Sequence, residues 1–87
     1  MYKTILNGGK YSLLVESKNE NVTHWVDAIV LENKTKKYYE AVSICNPIEI
    51  RKQGILKTQN YENLTVDECL LNQVRCWNYL PFDKQID

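Results

Sequence analysis

The sequence of 87 residues contains few cysteines, glycines and prolines, and it has no long apolar run. Its three cysteines, Cys45, Cys69 and Cys76, are an odd number in a short chain, which is not typical of a small disulfide-bonded secreted domain. No apolar run approaches the roughly 18 residues that span a membrane. The first ten residues also lack the apolar stretch of a signal peptide. We therefore expect a cytoplasmic protein with reduced thiols and no membrane partner.

The sequence also lacks an excess of charge of either sign. Its 11 basic and 11 acidic side chains give a formal net charge of zero. Nucleic-acid-binding proteins usually carry a clustered basic excess, whereas the only local cluster here is Lys34, Lys36 and Lys37. From composition we expect no nucleic-acid partner. With 44% hydrophobic and 25% charged residues, the chain is typical of one folded domain covering residues 1–87.

No catalytic, cofactor-binding or metal-binding motif stands out. A hairpin with a four-residue loop would place His24 opposite Cys45, and such a pair could generate a thiolate nucleophile. Nothing in the sequence marks the third group that would orient the histidine. Structural zinc sites usually contain two ligands within a few residues of each other, and this sequence has no such pair. We therefore predict no enzyme, cofactor or metal, with a Cys-dependent enzyme as one alternative.

The most strongly patterned stretch is residues 22–44, which contain many Val, Ile, Trp and Tyr residues on both sides of a polar segment, 32–36. This pattern predicts a long β-hairpin. An even loop length places on one face His24, Val26, Ala28, Val30 and Tyr39. The other face then carries Trp25, Asp27, Ile29, Leu31, Tyr38 and Glu40.

Two shorter strands are predicted before this hairpin, over residues 2–6 and 11–16. Asn7, Gly8 and Gly9 form a strong turn signal between them, because glycine adopts positive φ without steric cost. Simple alternation places on one side Tyr2, Thr4, Leu6, Tyr11, Leu13 and Val15.

Residues 47–53 are predicted to form a short helix. Asn46 is a good N-cap, Pro47 suits the first helical position, and Gly54 suits the C-terminal stop. A strand is the alternative, because Ile48 and Ile50 alternate with polar residues. Residues 55–58 are predicted as a fifth strand.

The C-terminal helix is predicted to begin at a capping box formed by Thr65 and Glu68 and to end at Pro81. Its apolar stripe consists of Val66, Leu70, Val74 and Trp77. A helix cannot bury such a stripe alone, so it should cover the hairpin face that contains Val26 and Ala28. The predicted fold is α+β: a four- or five-stranded, mostly antiparallel sheet with one short helix and one longer C-terminal helix packed on one face.

The opposite face would then be at least partly open. It presents two aromatic and two acidic side chains, Trp25, Asp27, Tyr38 and Glu40, which favour docking of a protein with a basic surface. A two-residue turn would place Asp27 opposite Glu40, although an open face lacks the water-excluding pocket that acid–base catalysis needs.

We therefore expect a small non-enzymatic protein-binding module that inhibits or neutralises a macromolecular partner. Immunity proteins, antitoxins and phage inhibitors of host defence are the classes with this character, and the Lys- and Asn-rich composition suits a bacterial or phage source. A module that stacks a small ligand or nucleic acid on its sheet aromatics is the other alternative. A homodimer is compatible with these features.

Overall fold

Four antiparallel strands in the order β1-β2-β3-β4 form the sheet of the computed structural model, which describes residues 1–40, 46–58 and 63–74. The strands are β1 (Tyr2–Asn7), β2 (Tyr11–Glu16), β3 (Ile29–Glu32) and β4 (Lys37–Glu40). A 3₁₀ turn at Ser17–Asn19 follows β2, and the helices are α1 (Pro47–Gln53), α2 (Ile55–Thr58) and α3 (Val66–Asn72). The predicted α+β class with an antiparallel sheet is confirmed.

The central hairpin is shorter than predicted. Strand β3 pairs with β4 from Ile29 opposite Glu40 to Glu32 opposite Lys37, which leaves a four-residue loop over 33–36. This even loop confirms the predicted faces for the paired residues. Residues 22–28 are irregular apart from a bridge at Val26, so their prediction as a strand was wrong. An extended backbone is enough to alternate buried and exposed side chains, without strand pairing. The pairing of β2 with β3 starts at Ile29 and does not include the residues before it.

Strand β1 contains an irregularity between Thr4 and Leu6, at Ile5. An extra residue in one strand shifts the alternation of side chains on either side of it. Leu6 therefore packs against the main core with Ile5, whereas Tyr2 packs against Leu14 on the other side of the sheet. The prediction that Tyr2 and Thr4 share a side with Leu6 was wrong for this reason.

Helix α1 begins and ends at the predicted residues. The Glu49 backbone N–H donates to Asn46 Oδ1 at 2.7 Å, and Pro47 occupies the first turn. Gly54 adopts a φ of 83°, and its N–H donates to the Ile50 carbonyl oxygen at 2.8 Å. These contacts confirm the helix and exclude the alternative strand.

Residues 55–58 form helix α2, so the predicted fifth strand was wrong. The positive φ of Gly54 redirects the chain after α1, and Ile55 then enters the main core. An apolar stretch of four residues is too short for its periodicity to distinguish a strand from a helical turn.

Helix α3 begins at the predicted capping box. Thr65 Oγ1 accepts from the Glu68 N–H at 3.2 Å, and the Glu68 carboxylate accepts from the Thr65 N–H at 3.0 Å. The helix ends at Asn72, and Val74 lies in an isolated bridge, so the predicted helical stripe stops early. Trp77 and Pro81 lie outside the described residues.

The main core lies between the helices and one face of the sheet. It contains Ile5, Leu13, Val15, Val26, Ala28, Val30, Ile50, Ile55, Cys69 and Leu70. The predicted burial of Val26, Ala28 and Val30 under helices is confirmed. His24, which was predicted on the same face, is instead exposed, because the chain just before the bridge at Val26 forms a bend and not a strand.

The opposite face carries a smaller apolar cluster. Leu14, Ile29 and Leu31 are buried, and Tyr2 and Tyr38 pack against them. This face was predicted to be at least partly open, but Ile29, at its apolar centre, is buried.

Candidate functional site

Trp25 is exposed on the irregular segment that precedes β3. Its relative exposure is 60%, whereas Val26 and Ala28 in the same segment are 8% and 4% exposed. Asp27, between the two buried residues, is exposed. Two buried side chains thus attach this segment to the main core, while Trp25 and Asp27 extend into solvent.

The chain just before this segment is held by α1 and β1. The Arg51 guanidinium donates to the Glu20 carbonyl oxygen at 2.6 Å and to Asn21 Oδ1 at 2.7 Å. The Glu20 carboxylate lies 3.7 Å from Arg51 and 3.5 Å from Lys3. A guanidinium that donates in two directions fixes the backbone path more firmly than a single ion pair would. The start of the Trp25 segment is therefore anchored by polar contacts as well as by packing.

The other two predicted residues lie on β4. Glu40 is exposed and pairs with Ile29, which places it at the same end of the hairpin as Asp27. Tyr38 is half-buried against the second apolar cluster. The hairpin has a four-residue loop and not the two-residue turn that would place Asp27 opposite Glu40, so that cross-strand arrangement does not form. Trp25, Asp27 and Glu40 remain the accessible members of the predicted set.

The alternative thiolate site cannot be assembled from the described residues, because Cys45 lies outside them. His24 is exposed next to Trp25, and Cys69 is packed in the main core. Within residues 1–40, 46–58 and 63–74, no group of three His, Cys, Asp or Glu side chains is placed to hold a metal ion. No helix in these ranges has the length and apolar character needed to span a bilayer.

Two pKa shifts have local structural causes. Burial raises the pKa of Tyr2, and the carboxylate of Glu16, its cross-strand neighbour, raises it further. The hydrogen bond from the Thr65 backbone N–H lowers the pKa of Glu68, with a further contribution from the Thr65 side chain. The first shift reflects packing and the second reflects helix capping.

A polar connection that the sequence did not predict joins α3 to the turn between β1 and β2. The Asp67 carboxylate accepts from the Tyr11 N–H at 3.0 Å and from the Lys10 N–H at 3.2 Å. The backbone passes close to this carboxylate at Gly8, where a Cβ would overlap Asp67 Oδ1. The Gly8–Gly9 pair signalled a turn, but nothing local in the sequence indicated its partner.

A second polar connection joins the two hairpin turns. The Asn33 side-chain amide donates to Asn7 Oδ1 at 3.2 Å and to the Gly9 carbonyl oxygen at 3.0 Å. Its Oδ1 accepts from the hydroxyl of Ser12, a buried side chain, at 2.7 Å. The loop of the central hairpin is thus fixed to the β1–β2 turn.

No protein-family model matches the sequence, and no curated protein or solved structure matches the chain.

Proposed function

We propose that this chain is a small non-enzymatic protein-binding module that inhibits or neutralises a macromolecular partner, with Trp25 at the centre of its binding surface. One observation carries the proposal: an indole with 60% exposure lies within a segment whose neighbouring apolar side chains are buried. Tryptophan is among the residues that contribute most to binding free energy when a partner desolvates it. Immunity proteins, antitoxins and phage inhibitors of host defence are the proposed classes.

Charge near Trp25 favours a basic partner surface. Asp27 and Glu40 are exposed at the same end of the hairpin as the indole segment. Carboxylates around an apolar contact increase the rate at which a cationic protein associates and disfavour acidic competitors. The proposed partner is therefore a protein that presents Lys or Arg around an apolar pocket.

The anchoring of the segment supports binding with little reorganisation. Val26 and Ala28 are packed in the main core, and Arg51 holds the backbone of Glu20. A side chain presented by an ordered segment loses less conformational entropy on association than one presented by a mobile loop. Trp25 is thus suited to act as a pre-positioned anchor.

The test compares the wild-type chain with the double variant Trp25→Ala, Asp27→Lys. Proteins captured by the immobilised wild-type chain from cells of its source organism are identified, purified and titrated against both chains by calorimetry. We expect the double variant to lose ~2 kcal/mol or more of binding free energy, which is about 30-fold in Kd.

The matched control is Lys52→Ala with Gln53→Ala, which changes two exposed side chains on α1. It should bind the same partner with unchanged affinity. All three chains should show the same thermal unfolding temperature, because exposed side chains contribute little to stability. A partner that binds the double variant as tightly as the wild type would eliminate Trp25 as the centre of the surface.

A further inference from the structure

The two hairpin turns bring together lysines that are distant in the sequence. The Asn33 backbone N–H donates to the Lys10 carbonyl oxygen at 2.9 Å, and the Asn33 side chain donates to the Gly9 carbonyl oxygen at 3.0 Å. These bonds place the β1–β2 turn beside the loop at 33–36. The lysine end, as we call this region, presents four exposed lysines: Lys10, Lys34, Lys36 and Lys37.

The carboxylates nearest to these turns make other hydrogen bonds. Asp67 accepts from the backbone N–H groups of Lys10 and Tyr11, and the Glu32 carboxylate accepts from the Thr35 hydroxyl. Lys3, Lys18 and Arg51 form ion pairs at other elements. The four lysines at this end outnumber its two carboxylates, those of Asp67 and Glu32, although the whole chain is formally neutral.

Lys36 occupies a backbone position that suits glycine better. Its φ is 61°, in the left-handed region, where the chain elsewhere uses Gly9 and Gly54. A side chain with a Cβ costs roughly 1–2 kcal/mol in this conformation. The turn conformation itself favours glycine over lysine at this position.

The side chains of the lysine end suit a polyanionic phosphate surface better than a protein interface or a membrane. Lysine binds phosphate as a hydrated point charge, without the two-pronged geometry by which arginine recognises both carboxylate and phosphate. Protein interfaces are depleted in lysine and enriched in aromatic residues, and membrane surfaces bind helices or chains that also insert apolar groups. The exposed large hydrophobic residues of the described chain, Met1 and Trp25, precede β1 and β3, away from the two turns.

We propose that the lysine end binds the phosphate backbone of nucleic acid without reading its sequence. A duplex carries about one negative charge per 1.7 Å of axis, and lysines that approach it release condensed counterions. Composition alone argued against such a partner because the net charge is zero. The fold changes that expectation by collecting 4 of the 11 basic side chains at one end. This surface is separate from the Trp25 surface and does not depend on it.

The test measures binding of a fluorescently labelled duplex DNA of ~20 base pairs to the full chain by anisotropy. At ~20 mM salt we expect a Kd no weaker than about 10⁻⁴ M, and log K should fall with log salt with a slope between about −3 and −4. The variant Lys10→Gln, Lys34→Gln, Lys36→Gln should bind at least tenfold more weakly, with a much shallower slope. The corresponding triple change to arginine should keep the wild-type affinity within about threefold.

The matched control is Lys18→Gln, Lys52→Gln, Lys57→Gln, which removes the same number of charges from exposed positions on other elements. It should retain wild-type duplex binding within about threefold. Circular dichroism confirms that each variant is folded before binding is compared. Absence of duplex binding at ~20 mM salt, or equal weakening by the control, would overturn the proposal. Binding to polyglutamate or to phosphatidylserine vesicles in preference to the duplex would overturn it as well.

Discussion

Gly8 is a residue whose lack of a side chain allows two elements to meet. A Cβ at this position would overlap Asp67 Oδ1 and would lie 2.9 Å from Val66 Cγ1. The close approach lets the Asp67 carboxylate reach the backbone N–H groups of Lys10 and Tyr11. The neighbouring Gly9 has a different role. Its φ is 109°, a backbone conformation that a residue with a side chain adopts only with strain.

Gly8→Ala should lower the free energy of unfolding by about 1–3 kcal/mol, the usual cost of forcing extra volume into a closed contact. Urea denaturation measures this loss. In a chain that already carries Asp67→Ala, the same substitution should cost less, because its closest neighbour has been removed. Strict additivity of the two changes would show that the contact with Asp67 is not the cause.

Lys36 is the residue at which we expect a substitution to stabilise the protein. Lys36→Gly removes the Cβ from a left-handed backbone position and should raise the free energy of unfolding by about 0.5–1 kcal/mol. Lys34→Gly is the control, since Lys34 does not have a positive φ and the change there should destabilise the chain slightly. Equal effects of the two substitutions in urea denaturation would contradict this account.

At the scale of elements, helix starts could be predicted from the sequence because their signals are local. Asn46 and Thr65 cap α1 and α3 with side chains that lie within three residues of the groups they bind. The ends and identities of other elements depend on distant contacts. Residues 22–28 leave the sheet, α2 replaces a predicted strand, and α3 stops at Asn72.

The cap of α3 gives a stability that depends on pH. The Thr65 backbone N–H lowers the pKa of Glu68 in the folded chain, so the ionised carboxylate favours folding. This contribution is complete above the unfolded pKa of about 4.3 and is lost as the pH falls through the lower folded pKa. Wild-type protein should therefore lose its stability advantage over Glu68→Gln on acidification.

Thermal unfolding of both chains between pH 7 and pH 3 measures the effect of the cap. The wild type should unfold at the higher temperature at neutral pH, and the difference between the two curves should become smaller towards the acidic end. A difference that stays constant across this range would exclude the Glu68 carboxylate as the titrating group.

For the whole molecule, the covered face of the sheet could be predicted but its surroundings could not. Period-two alternation and a helix that needs a partner were enough to assign Val26, Ala28 and Val30 to the main core. The bulge at Ile5 gave no local signal, because it arises from pairing between strands. Ile29, Leu31 and Tyr38 were assigned to one face, but their burial with Leu14 depends on the pairing of β2 with β3.

Part of the candidate surface could be predicted from the same assignment of side chains to the two faces of the hairpin. Trp25, Asp27 and Glu40 are exposed as predicted, whereas Tyr38 is half-buried. The cluster of Lys34, Lys36 and Lys37 was visible in the sequence, but the position of Lys10 beside it could not be predicted, because Gly9 and Asn33, which join the two turns, are 24 residues apart.

Asn33 connects the two turns, and its loss should affect both. Asn33→Ala leaves the buried Ser12 hydroxyl without its acceptor and removes two donors, which should cost about 2 kcal/mol of stability. Amide hydrogen exchange should become faster in both turns at once. Asn33→Asp keeps the acceptor for Ser12 but directs a carboxylate oxygen at Asn7 Oδ1 and the Gly9 carbonyl oxygen, so it should also be destabilising. Faster exchange in only one turn would contradict a shared connection.

Strand β1 is an edge strand of the sheet, and the bulge at Ile5 interrupts its regular backbone. A regular, flat edge strand offers evenly spaced backbone donors and acceptors with which a strand of another molecule can pair, as happens when fibrils grow. The interruption breaks that spacing, and exposed Lys3 adds a charge beside it. Addition of a strand from another molecule to β1 is thereby disfavoured. The folded chain should therefore not polymerise through this strand even at high concentration.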